Sequence, residues 1–188
     1  MHSTENRTDT SVEICKLQPE DIAHFKHDMQ TAFQKGYELE FGPSPEIILP
    51  EKDIDASLHT DGVHAYKAVL NGKCVGGAVV VINPETQKNH LDLLYIKSGC
   101  EGNGIGWKLW TAIEKLHPET RIWETHTPYF EKRNIHFYVN KCGFHIVEFY
   151  TPHHPDPLAN GKPVGGMNDE AGQFFFRFEK NMCKVNTL

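Results

Sequence analysis

The sequence contains no long apolar segment. Among its 188 residues there is no run of about 18 consecutive apolar residues, so no transmembrane helix is predicted. The first ten residues, M-H-S-T-E-N-R-T-D-T, are polar and lack the hydrophobic region of a signal peptide. We therefore expect a cytoplasmic protein that does not bind a membrane.

The sequence also has no excess of basic residues. Nineteen Lys and Arg residues stand against 25 Asp and Glu residues, which gives a formal net charge of -6. Because non-specific binding to nucleic acid depends on basic side chains that neutralise phosphates, we expect no nucleic-acid partner. A small cationic or amine-bearing molecule is a better electrostatic partner for such a chain.

Cysteine is scarce and scattered. The five cysteines are odd in number, never form a C-x-x-C pair, and are Cys15, Cys74, Cys100, Cys142 and Cys183. This distribution indicates reduced thiols in a cytosolic protein. No metal site is predicted either, because the nearest candidates, His153, His154 and Asp156, lie in a proline-rich segment without the regular spacing of metal ligands. We interpret that segment as a lid on the substrate side or as a plain loop.

The length and the hydrophobic pattern indicate one mixed domain. A chain of this size can bury roughly 70% of its unfolded surface around a single core. We expect a disordered tail over residues 1–10, one domain over 11–182, and a short tail over 183–188. The predicted order of elements is β-α-α-β-β-β-α-β-α-β-β. This order indicates an α/β (α+β) protein with a mixed sheet and helices on both faces.

Several local signals set the element boundaries. In the first helix, the buried stripe is expected at Ile22, Phe25, Met29 and Phe33, with an end at Gly36. Asn71-Gly72 predicts a tight hairpin between two strands. Another helix is expected at 129–142, and Gly143 is expected to end it. The tryptophans are predicted to be core or sheet-face residues, and they are Trp107, Trp110 and Trp123.

The most informative stretch is residues 90–116. It reads as an apolar strand, then G-C-E-G-N-G-I-G, then a helix with apolar residues at Ile105, Leu109, Ile113 and Leu116. The middle part is therefore a glycine-rich turn that leads into the N-terminus of a helix. Free N–H groups and the positive end of the helix dipole favour an anion there, so the turn predicts a phosphate-binding site.

Two common phosphate-binding motifs are excluded by the residues themselves. A Walker loop needs Lys followed by Ser or Thr after its last glycine, and here Trp107 and Lys108 follow Gly106. A Rossmann fingerprint needs G-x-G-x-x-G, whereas Gly102, Gly104 and Gly106 give G-x-G-x-G. The turn is therefore a pyrophosphate-binding element of another kind.

These residues resemble the GNAT superfamily of acyl-CoA-dependent N-acyltransferases. The family signature is an apolar strand, a short linker, Gln or Arg, two residues, Gly, one residue, and Gly or Ala. Glu101, Gly104 and Gly106 take those places, and residues 138–144 (Y-V-N-K-C-G-F) resemble the second family signature. The resemblance covers most of the chain. Glu101 departs from the pattern because it places a negative charge beside the expected pyrophosphate.

The resemblance implies the family fold, in which a mixed, mostly antiparallel sheet opens between the His90 strand and the Arg121 strand to admit the pantetheine arm of acetyl-CoA. It also implies which residues contact this co-substrate: Ile96, Glu101, Gly102, Asn103, Gly104, Ile105, Gly106, Trp107, Asn134 and Lys141. Family members often have an Asn where this chain has Glu131, which we interpret as an N-terminal helix acid stabilised by the dipole.

The resemblance further implies the catalytic groups. Tyr138 takes the place of a tyrosine that protonates the departing CoA thiolate, and the proton acceptor for the amine often comes from the strand that carries His90 and Asp92. These two residues share one strand face, as do Glu124 and His126 on the next predicted strand, so either pair is a candidate.

The function implied is transfer of an acetyl group from acetyl-CoA to an amine by direct attack in a ternary complex. Two alternatives remain open, namely a catalytically silent module that binds acyl-CoA and an enzyme that acetylates a protein N-terminus or lysine. The expected acceptor is a small amine, with no metal involved, and the expected assembly is a monomer or a homodimer.

Overall fold

The computed structural model describes residues 12–157 and 173–182. The strands and α-helices of these residues are β1 Glu13–Lys16, α1 Ile22–Phe41, α2 Glu51–Leu58, β2 Val63–Leu70, β3 Lys73–Val81, β4 Lys88–Ile96, α3 Ile105–Leu116, β5 Ile122–Pro128, α4 Lys132–His136, β6 His145–Tyr150 and β7 Phe175–Asn181. A 3-10 turn, Pro19–Asp21, precedes α1, and a π-helix, Phe137–Cys142, continues α4. The predicted order of elements is confirmed. The predicted tails at 1–10 and 183–188, and most of the predicted loop at 151–172, lie outside the described residues.

The strands form one sheet in the order β1-β2-β3-β4-β5-β7-β6. Every neighbouring pair is antiparallel except β4 and β5, which are parallel. A mixed, mostly antiparallel sheet was predicted and is confirmed. The hairpin between β2 and β3 turns at Asn71 (φ 52°) and Gly72 (φ 74°), two left-handed residues as expected for an Asn-Gly turn. None of the helices in the described parts of the chain is long and apolar enough to cross a membrane.

Alternate residues of β3 enter two separate cores. Ala78 and Val80 pack in one cluster with residues of α3, including the fully buried Trp110, whereas Val79 packs in another with Phe25 and other residues of α1 and α2. The sheet is therefore covered on both faces, as predicted. Phe25 sits directly over Gly77, because a Cβ atom at that position would overlap its ring.

The end of α1 differs from the prediction. The helix does not stop at Gly36 but continues to Phe41, and Gly42 ends it with φ 86° and an N–H bond to Glu38 O. The carboxylate of Glu131 lies against Gly36 inside the helix, and a Cβ at Gly36 would be 3.0 Å from Glu131 Oε1. The prediction of a helix end at Gly36 was wrong.

Three further boundary or burial predictions need correction. Leu116 is 52% exposed, so the buried stripe of α3 ends one turn earlier, at Ile113. Trp107 is 50% exposed and is not a core residue, whereas Trp110 and Trp123 are fully buried as predicted. The helix expected to start at Tyr129 starts at Lys132, and Gly143 (φ 79°) ends its π-helical continuation as predicted.

The sheet opens between its two parallel strands. β4 and β5 pair only at Lys88↔Ile122, Asn89↔Trp123 and His90↔Glu124, and beyond these positions each strand pairs only with its other neighbour. Asp92 is the extra residue of a bulge in β4, since Val80 pairs with Leu91 and Val79 with Leu93. The strand backbones that face each other across the gap are therefore available to an extended ligand.

Candidate active site

The glycine turn has the geometry of an anion site. Gly102 (φ 88°) and Gly104 (φ 69°) are left-handed, and Gly104 is the N-cap of α3. A Cβ atom at either glycine would meet nothing within 4 Å, so the backbone conformation rather than packing requires glycine, and the space beside the turn is open. The first N–H groups of α3 have no partner within the helix, which makes them donors for an anion.

An open cleft of about 770 Å³ extends from this turn between α1, β4 and α4. Nine of the ten residues predicted to contact acetyl-CoA line it: Ile96, Glu101, Gly102, Gly104, Ile105, Gly106, Trp107, Asn134 and Lys141. Asn103 is in the same turn but does not line the cleft. The structure thus brings together residues that are spread in the sequence from Ile96 to Lys141.

The carboxylate of Glu101 is held by groups of the protein itself. Its Oε2 accepts a hydrogen bond from Gly99 N at 2.6 Å, and Lys35 Nζ lies 3.3 Å from its Oε1. Hydrogen bonds from its own backbone N–H and from Gly99, together with Lys35, lower the pKa of Glu101, while burial opposes them. The negative charge beside the turn is therefore partly compensated by Lys35 on α1, a residue that no motif in the sequence indicates.

Glu131 and Phe130 also line the cleft, although neither was predicted to do so. Glu131 occupies the N-cap of α4 but makes no capping hydrogen bond, and burial raises its pKa. Its interpretation as a dipole-stabilised helix acid stays a prediction, since burial has the larger effect on this pKa. Close to it, Lys132 Nζ donates to Glu40 Oε1 at 2.6 Å and joins α4 to α1.

Tyr138 is buried beneath this cleft rather than among its lining residues. It is only 6% exposed, packs against Phe144 and Phe178, and its hydroxyl makes hydrogen bonds with the side chains of Thr125 and Thr127 on β5. Burial raises the pKa of Tyr138 above its ordinary value. The hydroxyl therefore lies at the β5 side of the gap and remains protonated.

His90 and Asp92 lie on the other side of the opening, also outside the lining of the cleft. His90 Nε2 is 3.9 Å from Asp92 Oδ1, and His90 Nδ1 is 3.8 Å from Glu124 Oε1. The rings of His90 and His126 lie 5.4 Å apart. The His90–Asp92 and Glu124–His126 pairs, which the sequence left as alternatives, thus form one group of side chains. The group surrounds the last paired position of β4 and β5.

Charged neighbours hold this group in place. Lys88 Nζ and Arg177 NH1 each lie 2.9 Å from Glu124 Oε2, and Lys88 and Arg177 also contact Glu179. Burial lowers the pKa of His126 to about 4 and lowers that of His90, although nearby carboxylates oppose both shifts. Both imidazoles are therefore neutral near pH 7. The contribution of Arg177 was not predicted, because this residue of β7 lies 51 residues beyond His126 in the sequence.

The proline-rich segment after β6 approaches the same group. Asp156 Oδ2 lies 3.8 Å from His126 Nε2, and the side chain of Asp156 is 9% exposed. His154, by contrast, is an exposed side chain 3.4 Å from Glu148. Residues 151–157 of the predicted lid thus border the polar group, and residues 158–172 lie outside the described part of the chain.

A model of the acetyltransferase (GNAT) family matches residues 26–144, which is more than half of the chain. The uncharacterized protein YrkN of Bacillus subtilis (strain 168) is 44% identical over 188 residues, covering 96% of this chain and 98% of that protein.

Solved structures share the fold. The ribosomal-protein-S18-alanine N-acetyltransferase from Escherichia coli superposes with a TM-score of 0.66 at 12% identity, covering 95% of this chain and 99% of that one. Spermidine N-acetyltransferase from Vibrio cholerae, in complex with CoA and spermine, superposes with a TM-score of 0.65 at 12% identity, covering 91% and 95% of the two chains. At such identities the likeness concerns the fold alone.

Proposed function

This chain belongs to the acetyltransferase (GNAT) family and is an acetyl-CoA-dependent N-acetyltransferase, and from that premise we propose that it acetylates a small cationic amine by direct attack on the thioester. The observation that supports this proposal most is the gap between β4 and β5, which begins after His90↔Glu124 and lies beside the N-terminus of α3. A pantetheine arm in the gap and a pyrophosphate on the turn would occupy neighbouring parts of one cleft.

The residues of the cleft fit this co-substrate. First-turn N–H groups of α3 suit the pyrophosphate, and Lys35 and Lys141 supply positive charge at the cleft wall. The bulge at Asp92 interrupts the pairing of β4 with β3, so backbone donors near it are available to the thioester carbonyl. Asn134 on α4 lines the cleft, and its proposed role is a hydrogen bond to the pantetheine arm.

The catalytic step then needs an acceptor for one proton and a group that stabilises the departing thiolate. The acceptor nitrogen attacks the thioester carbon, the C–S bond breaks, the amine proton passes to the His90–Asp92 pair, and the thiolate is stabilised by the hydroxyl of Tyr138. Because the pKa of Tyr138 is raised by burial, donation of a hydrogen bond is favoured over complete proton transfer. These roles of Tyr138, His90 and Asp92 are part of the proposal.

A cationic acceptor is supported by the acidic groups around the opening. Asp92, Glu124 and Asp156 lie around the base of the strand gap, outside the lining of the cleft proposed for acetyl-CoA. Residues 38–61 hold seven acids against one lysine, but they contribute less than this composition indicates, because Glu51 and Asp55 both pair with Lys26. Among proteins that share the fold, one acetylates spermidine and another an alanine of a ribosomal protein, so the fold does not select the acceptor.

The decisive experiment is a screen for acceptors that follows the release of free CoA thiol. Polyamines, monoamines, amino acids, aminoglycosides and peptides are each offered with acetyl-CoA, and KM is measured for the best acceptor at low and high salt. We expect turnover with a small cationic amine and a KM that rises with salt, since exposed charges are screened beyond about 8 Å at physiological ionic strength.

The other outcomes distinguish the alternatives. A preference for neutral acceptors with a salt-independent KM contradicts the cationic acceptor. Turnover with peptides alone favours an enzyme that acetylates proteins. Tight binding of CoA without turnover of any acceptor favours a silent binding module.

A further inference from the structure

Three metal-ligand side chains converge where the sheet opens. His90 on β4 and Glu124 and His126 on β5 each offer a ligand atom, and the three atoms lie within 4.8 Å of one another. His90 and Glu124 form the last paired position of the two parallel strands. From this convergence we propose that His90, Glu124 and His126 bind a divalent transition-metal ion, Zn²⁺ in the first instance, that links β4 to β5 at the base of the gap.

The distances within this group are those of side chains that bind one metal ion together rather than hydrogen-bond to each other. His90 Nδ1 and Glu124 Oε1 are 3.8 Å apart, which is too long for a hydrogen bond. Ligands at about 2.0–2.1 Å from one tetrahedral Zn²⁺ lie about 3.4 Å from each other, so small side-chain rotations bring the three atoms into place. His126 Nε2 is buried and has no hydrogen-bond partner among the described residues.

The neighbouring charges orient the ligands. Lys88 and Arg177 both contact Oε2 of Glu124 at 2.9 Å, which leaves Oε1 directed at His90. Two imidazoles and one carboxylate form a ligand set that Zn²⁺ commonly accepts, with one position left for water or a further oxygen. Asp156 Oδ2, 3.8 Å from His126 Nε2, is a candidate for that further oxygen.

The environment as a whole also favours a cation. Four carboxylates surround the position, from Asp92, Glu124, Asp156 and Glu179, and they outnumber the two cations, Lys88 and Arg177. Asp92 lies 3.9 Å from Nε2 of His90, the ring nitrogen that does not face Glu124. Such a carboxylate orients a ligating imidazole through a hydrogen bond, and Asp92 has to move closer to His90 to form one.

The proposed site does not depend on acetyl transfer. It requires only the pairing of β4 with β5, so metal binding is measurable in a protein for which no acceptor is known. If Nδ1 of His90 binds the ion, Asp92 remains as the proton acceptor of the pair proposed above. The two proposals can therefore fail separately.

The test is a metal titration of the full chain after treatment with a chelator. Zn²⁺ is titrated by calorimetry, and Co²⁺ is used as a probe whose visible absorption reports tetrahedral coordination. We expect one ion per chain in the parent protein, and an affinity at least 100-fold weaker in His126→Gln, beyond the 10- to 100-fold typical of outer-shell changes. Glu124→Gln should show the same direction, whereas His24→Gln, at an exposed position of α1, should bind like the parent.

Two results would overturn the proposal. One is an absence of Zn²⁺ binding, or an unchanged affinity in folded His126→Gln. The other is a sulfur-to-cobalt charge-transfer band that persists in this variant, because the cysteines would then hold the metal. If the variants do not fold, anomalous diffraction from Zn²⁺-soaked crystals of the parent decides the matter: a peak within about 2.2 Å of all three side chains supports the site, and a peak elsewhere contradicts it.

Discussion

The hydroxyl of Thr125 donates a hydrogen bond to the backbone oxygen of Leu91 at 2.9 Å, one position beyond the last paired residues of β4 and β5. Thr125 is 2% exposed, so the bond is shielded from water. A side chain therefore continues the connection between the two strands just where their backbones separate, and Tyr138 bonds to the same hydroxyl.

Replacing this hydroxyl should weaken the fold at the base of the gap. We expect Thr125→Val to lower the free energy of unfolding by about 1–3 kcal/mol, because the oxygen of Leu91 is left buried without its donor. Urea unfolding measures the change. The matched control is Thr31→Val on exposed α1, where the hydroxyl bonds only to His27 O and the expected change is within about 0.5 kcal/mol. Equal effects in the two variants would contradict the special role of the Thr125 bond.

The glycine turn offers a second paired test. Gly104→Ala and Gly72→Ala both place a Cβ in open space at a left-handed residue, with φ 69° and 74°. Each should cost about 1–2 kcal/mol of folding stability, because the left-handed conformation is unfavourable for alanine. Only Gly104→Ala should also weaken CoA binding in calorimetry, by about tenfold or more, since its Cβ enters the space beside the turn. Equal CoA affinity in the two variants would show that the pyrophosphate lies elsewhere.

The carboxylate of Glu101 in the glycine turn should reduce the affinity for CoA. In Glu101→Gln the carboxylate beside the expected pyrophosphate is removed and Lys35 loses its anionic partner. Repulsion between charges near a protein surface is on the order of 1 kcal/mol, so we expect CoA to bind roughly fivefold more tightly. The gain should shrink at high salt. Glu119→Gln, at an exposed position between α3 and β5, is the control. Weaker binding in Glu101→Gln would mean that the carboxylate organises the turn rather than opposing the ligand.

The order of the elements was predictable because its signals are local. The periodicity of α3 and the Asn71-Gly72 turn each depend on residues that are neighbours in sequence. Helix ends were less predictable, since Gly36 and Gly42 are both plausible stops for α1. Neither glycine shows locally which of them ends the helix, and the contact of Gly36 with Glu131, 95 residues further on, explains only why a side chain at Gly36 would be crowded.

The site was predictable where a motif carries it and not where contacts between distant residues do. The turn at Gly102–Gly106 follows a motif, and all of its residues except Asn103 line the cleft. Lys35 pairs with Glu101, 66 positions away in the sequence, and Arg177 pairs with Glu124, 53 positions away. Nothing in the local sequence of either partner indicates these contacts, because they arise from the order in which the strands assemble.

Folding stability should depend on pH through His117. Burial lowers the pKa of His117, with His64 and Lys16 contributing, and Tyr66 hydroxyl lies 2.8 Å from its Nε2. The unfolded chain therefore binds the proton more readily than the folded one, so stability is complete above the unfolded pKa of about 6.5 and falls as pH drops toward the folded value. We expect His117→Gln to lose less stability between pH 7.5 and pH 5.5 than the parent in urea unfolding. The slope should not vanish, because burial also lowers the pKa of His64. An unchanged slope would exclude His117 as a contributor.

The hydroxyl of Tyr138 provides the last test, because it separates a role in catalysis from a role in packing. Tyr138→Phe keeps the ring against Phe144 and Phe178 and removes only the oxygen. If the hydroxyl stabilises the departing thiolate, kcat should fall by about 10²-fold or more with the best acceptor, while CoA affinity stays close to that of the parent. Tyr129→Phe, at a 56% exposed position, should leave kcat unchanged. Loss of a buried hydroxyl also costs folding stability, so both variants are assayed well below their unfolding midpoints. A kcat within about twofold of the parent corresponds to less than 0.5 kcal/mol of barrier, and this result would reduce Tyr138 to a core residue bonded to Thr125 and Thr127.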